Sequence, residues 1–171
     1  MKHIILVGFM GCGKTRVGRV LAKKLKLPFV DMDTRIVKKA GMPITDIFAQ
    51  HGESYFRELE TKVLVEALAS KRRTVISTGG GVPMQKSNQP LLKAAIVVYI
   101  KAPVEVLMVR LVKDKKRPIL QGGDLRDKIT TLLDERNPVY EQVSNMEVLT
   151  NDGTVDEVVG QIIEKIVEKS A

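Results

Sequence analysis

Gly8-Phe9-Met10-Gly11-Cys12-Gly13-Lys14-Thr15 is the stretch that most narrows what this chain can fold into. It fits G-x-x-x-x-G-K-[ST] and sits in the right context. The apolar, β-branched run at 4–7 precedes it, and Val17, Val20, Leu21 and Leu25 follow at three-to-four spacing. That order predicts a buried parallel strand, a glycine loop and a helix. The glycines let the backbone wrap a phosphate with its N–H groups inward, and the helix N-terminus adds the positive end of its dipole. Lys14 reaches the β- and γ-phosphates, and the Thr15 hydroxyl ligates Mg²⁺. A plain strand-to-helix turn has no need of Lys14-Thr15. The motif specifies a nucleoside triphosphate and leaves the reaction open.

The rest of the chain repeats the alternation. Phe29-Val30 opens a short strand ending in Asp31-Met32-Asp33. A helix is predicted over 34–40, stopping at Gly41, and another from about 45 that breaks at Gly52 and resumes with Phe56, Leu59, Val63 and Ala67 on one face. Strands at 74–78 and 96–100 follow, then a helix begun by Pro103. The segment 113–124 carries Lys113, Lys115, Lys116 and Arg117 ahead of Gly122-Gly123 and reads as a mobile basic surface loop. A helix to about 136 comes next, its continuation disrupted by Pro138. A last strand at 146–149 leads to Thr154-Val155-Asp156-Glu157, a capping box opening the C-terminal helix with Val158, Ile162 and Ile166 inward. Strands alternating with helices mean an α/β fold, a parallel sheet covered on both faces. In such sheets ligands bind beyond the carboxyl ends of the strands, where Gly8 to Thr15, Asp31 and Asp33, and Gly79 to Gly81 all fall.

Composition excludes several classes. The single cysteine, Cys12, rules out a disulfide framework, and His3 and His51 lie too far apart in sequence to suggest a metal cluster or a Ser-His-Asp triad. The formal charge of +8 attracts anions, but four Phe, three Tyr and no Trp offer no base-stacking surface, so nucleic acid is not expected as a partner. No apolar run approaches a membrane span and the start resembles no signal peptide, so the expected location is cytoplasmic. The 171 residues suit one domain, 1–171.

A phosphate-loop enzyme needs an anchor for Mg²⁺ and something to orient the nucleophile. The strand at 74–78 runs into glycines, so the early acidic candidates are Asp31 and Asp33. Asp31 can hold Mg²⁺, directly or through water, and Asp33 can accept a hydroxyl proton, unless Asp33 merely caps the helix after it. Gly79-Gly80-Gly81 lets backbone approach a ligand closely, although a flexible loop has the same composition. Arg57 and Glu60 share one helical face, where the carboxylate can hold the guanidinium or form an ordinary surface ion pair. Arg117 lies in the basic loop, and Arg136 precedes Asn137-Pro138.

As a set, the phosphate loop, Asp31-x-Asp33, Gly52-Glu53…Phe56-Arg57…Glu60, Ser77-Thr78-Gly79-Gly80-Gly81, Arg117-Pro118 and Arg136-x-Pro138-x-Tyr140 resemble the shikimate kinase family, in family order over most of the chain. The resemblance implies a three-layer P-loop fold of the nucleoside monophosphate kinase group: a central five-stranded parallel sheet flanked by helices, a substrate-binding region at about 33–60 and a mobile lid at about 112–124. It implies transfer of the ATP γ-phosphate to the 3-hydroxyl of shikimate, with Mg²⁺ as cofactor and ADP as product, in chorismate and aromatic amino-acid biosynthesis, by a monomer. The ATP-binding residues are then Gly11, Cys12, Gly13, Lys14, Thr15, Arg16, Arg110 (an adenine neighbour) and Arg117, with metal at Thr15 and Asp31. Asp33 is the candidate base, and Lys14 and Arg117 are its catalytic companions. Arg57 and Arg136 grip the substrate carboxylate, Gly79, Gly80 and Gly81 bind its hydroxyls, and Phe48 and Phe56 wall its ring. Gluconate and nucleoside monophosphate kinases are the nearest competitors. A P-loop switch would need an Asn-Lys-x-Asp motif, which is missing.

Cys12 departs from the family, where a smaller or hydroxyl-bearing residue is expected. Lys14 and the helix N-terminus favour a reactive thiolate there. The alternative is an inert thiol packed under the loop.

Overall fold

Four consecutive residues without exposed surface require a strand covered on both faces, and β1 (Ile4–Val7) is the middle strand of the sheet. The computed structural model describes residues 1–114, 117–151 and 153–170. Lys115, Lys116, Asp152 and Ala171 lie outside the described residues, so the segment 112–124 is described only in part. β2 (Phe29–Asp31), β3 (Val75–Ser77), β4 (Ile96–Lys101) and β5 (Met146–Leu149) join β1 in the order β2-β3-β1-β4-β5, and every pairing is parallel. Parallel neighbours need long crossovers. These contain α1 (Lys14–Leu25), α2 (Met32–Ala40), α3 (Ile44–Leu68), the short α4 (Gln89–Lys93), α5 (Val104–Leu111) and α6 (Leu125–Val143). α7 (Val155–Ser170) follows the last strand and packs on α1. The result is the α/β fold expected, a five-stranded parallel sheet flanked by helices.

Register sets the working edge. Asp31 pairs with Ser77, and Ser77 pairs with Leu6, so the carboxyl ends of β2, β3 and β1 lie level. The loops that leave them carry Gly8 to Thr15, Asp33 and Gly79 to Gly81. Gly52 breaks α3 where the sequence predicted, with φ 83 and ψ 175. The capping box at Thr154 also forms: its N–H donates to Glu157 Oε2 at 2.9 Å, and the Glu157 N–H donates to Thr154 Oγ1 at 3.2 Å.

Several elements differ from the sequence expectation. α6 runs through Pro138 to Val143 instead of ending near 136. Its buried stripe of Ile129, Leu133, Arg136, Tyr140 and Val143 continues past the proline. Pro138 and Asp134, whose carbonyl loses its helical partner, are both exposed, so water can satisfy that oxygen. β2 stops at Asp31 and α2 begins at Met32, two residues earlier than expected. Between β3 and β4, where no element was expected, lie two 3₁₀ turns, Val82–Met84 and Lys86–Asn88, and α4. A third 3₁₀ turn, Pro118–Leu120, interrupts the basic loop and buries Leu120.

Candidate active site

The phosphate loop is closed on itself. Lys14 is 7% exposed, and its ammonium donates to the carbonyls of Gly8 at 2.8 Å and Phe9 at 3.0 Å, with Cys12 Sγ at 3.6 Å. Thr150, just past the end of β5, donates its hydroxyl to the carbonyls of Cys12 and Lys101, both at 3.0 Å. Arg110 Nη1 donates to the Gly11 carbonyl at 2.9 Å from the exposed side. The Cys12 thiol has no exposed surface. That geometry favours the inert, packed thiol over the reactive one.

Capping separates the two early aspartates. Asp31 is the N-cap of α2, its Oδ1 accepting from the Thr34 N–H at 2.9 Å, so the capping role considered for Asp33 falls to Asp31. The other Asp31 oxygen, Oδ2, accepts from the Thr15 hydroxyl at 2.6 Å. Two oxygen donors at one point are the kind of ligand a hard divalent cation takes. Asp33 sits in the first turn of α2, not on a continued strand, and is partly buried. Desolvation raises its pKa and the Asp31 charge adds to this, opposed by Arg117, Lys14 and Arg57.

Two cavities open along the strand ends. The first, about 410 Å³, is lined by the phosphate loop with Arg16, Arg110 and Asp31. The second, about 800 Å³, is lined by Arg57, Glu60, Gly81 and Arg136, with Phe48 and Phe56 as its aromatic wall. Those two rings pack with centroids 4.7 Å apart. Met10, Asp33, Gly79, Gly80 and Arg117 line both cavities, so the chambers meet beside a carboxylate, a glycine turn and a guanidinium.

The second cavity is strongly charged. Arg57 Nη1 donates to Glu60 Oε1 at 2.5 Å and Nη2 to Glu53 Oε1 at 3.3 Å, so the helical spacing does bring Arg57 and Glu60 together. Glu60 is 1% exposed, and burial pushes its carboxyl up to about 7 against the attraction of Arg57. Arg136 is buried over the Phe9 ring, 5.9 Å from its centroid. Among the described residues no carboxylate lies within ion-pair distance of it. A buried, unneutralised guanidinium facing a cavity is an anion site. Arg117 Nε donates to Asp114 Oδ2 at 3.0 Å.

Sequence reasoning passed over Thr150, Asn151, Gly153, Val155 and Val158, which complete the first cavity from the C-terminal segment. Their position just past the end of the last strand was the available signal. It also passed over Asp114 as the partner of Arg117, and over the Tyr140 hydroxyl, which donates to the Gly80 carbonyl at 2.6 Å.

A phosphate-binding loop that shares a wall with a cationic acceptor chamber is the arrangement of a P-loop kinase acting on a small molecule. A family model described as shikimate kinase matches residues 10–167. The curated shikimate kinase of Caldicellulosiruptor bescii is 41% identical over 163 residues, covering 93% of this chain and 94% of that protein. That of Francisella tularensis subsp. novicida is 41% identical over 170 residues, covering 99% and 97%. Among solved structures, the shikimate kinase from Acinetobacter baumannii in complex with shikimate superposes with a TM-score of 0.94 at 41% identity, covering 99% of this chain and 94% of that one. A gluconokinase from Sinorhizobium meliloti, at TM-score 0.59 and 18% identity, shares the fold alone. The chain belongs to the shikimate kinase family and is an ATP-dependent kinase.

Proposed function

We propose that the first cavity holds ATP, the second holds shikimate, and the γ-phosphate passes to the 3-hydroxyl where the chambers meet, a step of chorismate and aromatic amino-acid biosynthesis. The observation that carries this reading is the shared wall of Asp33, Gly79, Gly80 and Arg117. The backbone N–H groups of Gly11, Cys12 and Gly13 cradle the phosphates, and Lys14 exchanges its carbonyl partners for phosphate oxygens. Arg16 and Arg110 flank the nucleotide. The shikimate carboxylate lies between Arg57 and Arg136, its hydroxyls face Asp33 and the Gly79 to Gly81 backbone, and Phe48 and Phe56 wall the ring. The shikimate held by the Acinetobacter baumannii relative supports this choice over gluconate.

Asp33 orients the 3-hydroxyl and takes its proton as the oxygen bonds to phosphorus and the bond to the ADP oxygen breaks. Its raised pKa makes it a better proton acceptor than an exposed aspartate. Lys14 and Arg117 offset the charge on the transferring group, so positioning and electrostatics supply most of the rate. Thr15 and Asp31 would hold Mg²⁺, Asp31 directly or through water, and the ion would neutralise phosphate charge there. We assign 1–171 as one kinase domain with residues 33–60 as the substrate region. Residues 112–124 form a lid that carries Arg117 over the reacting phosphate. We further propose a monomer that works in the cytoplasm, where ATP is supplied; no helix among the described residues is long and apolar enough to cross a membrane.

Coupled ADP-release assays with shikimate, gluconate and CMP test the substrate assignment, and shikimate should be preferred by orders of magnitude. Asp33→Asn should lower turnover by about 10²-fold or more, with ATP binding nearly unchanged. Near-normal turnover in that variant refutes the role given to Asp33.

A further inference from the structure

Tyr140 closes the last of the sequence motifs, yet it lines neither cavity. Its side chain has no exposed surface, and its ring rests on Tyr99 with centroids 5.1 Å apart. The hydroxyl donates to the Gly80 carbonyl at 2.6 Å, and the positive charge of Arg136, one turn earlier on α6, acts on it. A Cβ built on Gly80 would fall 3.2 Å from Arg136 Nη1, a tight approach, and 3.4 Å from the Tyr140 oxygen, so the guanidinium and the hydroxyl both lie against this glycine.

We propose that Tyr140 is a positioning residue for the acceptor, fastening the Gly79 to Gly81 turn to α6 beside the Arg136 guanidinium that the same helix carries. In a trans peptide the carbonyl and the following N–H point to opposite sides, and no cis bond occurs among the described residues. Because Tyr140 draws the Gly80 carbonyl toward α6, the Gly81 N–H points the other way, toward the second cavity that Gly80 and Gly81 line. A phenol buried this far stays a neutral donor at working pH, since desolvation raises its pKa despite Arg136. The hydroxyl thus sets the spacing between a hydroxyl-binding N–H and a carboxylate-binding cation. This inference rests on the assignment of shikimate to the second cavity.

Tyr140→Phe keeps the ring and removes only the hydroxyl. The expected result is a rise in KM for shikimate of about tenfold, with kcat and KM for ATP within about twofold of wild type. Tyr99→Phe is the control. It loses the bond its hydroxyl donates to Asn137 Oδ1 at 2.6 Å while keeping the same ring stack, and KM for shikimate should stay within about twofold. A double variant with Arg136→Lys should cost less than the two single effects multiplied. Unchanged shikimate KM in Tyr140→Phe overturns the inference. So do equal rises in both KM values, or an equal effect in Tyr99→Phe, which mark a packing role. The acceptor assignment is judged separately, by whether Arg136→Ala loses shikimate binding in the same assay. Should Tyr140→Phe fold poorly, 3-fluorotyrosine can be incorporated into the otherwise wild-type enzyme. Its resonance at position 140 should then shift on adding shikimate and stay put on adding ADP; no shift, or the reverse pattern, overturns the inference.

Discussion

Gly81→Ala would place one methyl group against the substrate-gripping arginine. The backbone at Gly81 has φ −87 and ψ −9, which alanine adopts without strain, so the effect comes from the side chain alone. A Cβ built there falls 2.7 Å from Arg57 Cζ and 2.9 Å from Nη2. Ordinary carbon–carbon contact begins near 3.5 Å and Nη1 lies closer still than Cζ, so the guanidinium must retreat by at least about 0.8 Å. It cannot retreat freely, because Glu60 holds Nη1 at 2.5 Å and Glu53 holds Nη2 at 3.3 Å. A displacement of this size in a positioning group costs up to about 10²-fold in kcat/KM. Steady-state kinetics should show that loss for shikimate, with KM for ATP unchanged, since Gly81 does not line the nucleotide cavity. In an Arg57→Ala background the same substitution should cost little, because the clash has lost its partner. A kcat/KM for shikimate within threefold of wild type, or an equal loss in the Arg57→Ala background, would refute the reasoning and show that the turn yields instead of the arginine.

Two further expectations follow from the same site. Burial holds the Glu60 carboxyl at about 7, and a substrate carboxylate beside Arg57 and Arg136 raises it further, so shikimate binding near pH 7 should draw in part of a proton and weaken as pH rises through that value. Calorimetry in buffers of different ionisation enthalpy measures the uptake; none in the wild type, or the same uptake in Glu60→Gln, removes Glu60 as the cause. The buried Cys12 thiol should be alkylated slowly with or without nucleotide, and Cys12→Ser should stay active because the loop works through its backbone, Lys14 and Thr15. Rapid labelling of the free enzyme that ATP slows would restore the reactive reading.

The local signals were legible because they rest on the backbone of a few neighbouring residues. The phosphate loop, the break at Gly52 and the capping box at Thr154 each announce themselves within eight residues or fewer. Pro138 misled because a proline stops a helix only when the orphaned carbonyl has no remedy, and the exposure of Asp134 was invisible before the fold. The two aspartates were confused for a related reason: a small difference in where β2 ends decides which of them caps α2. Thr150, and the bond made by the Tyr140 hydroxyl, were passed over because their partners lie 138 and 60 residues away, beyond any pattern in a local window. The burial of Cys12 likewise depends on the sheet beneath the loop and not on its flanking residues.

The position of β1 in the strand order has a further consequence for synthesis. The first strand made is the middle one, and its neighbours β3 and β4 begin at residues 75 and 96. A nascent chain shorter than that carries four bare apolar residues with both hydrogen-bonding edges open, the kind of segment that pairs with the wrong chain. The loop that follows waits longer still, because the hydroxyl that fastens the Cys12 carbonyl belongs to Thr150. Stalled chains of increasing length should therefore gain ATP-dependent protease resistance late, only after β5 and Thr150 have emerged. Resistance appearing before that point would mean the loop sets without its distant anchor.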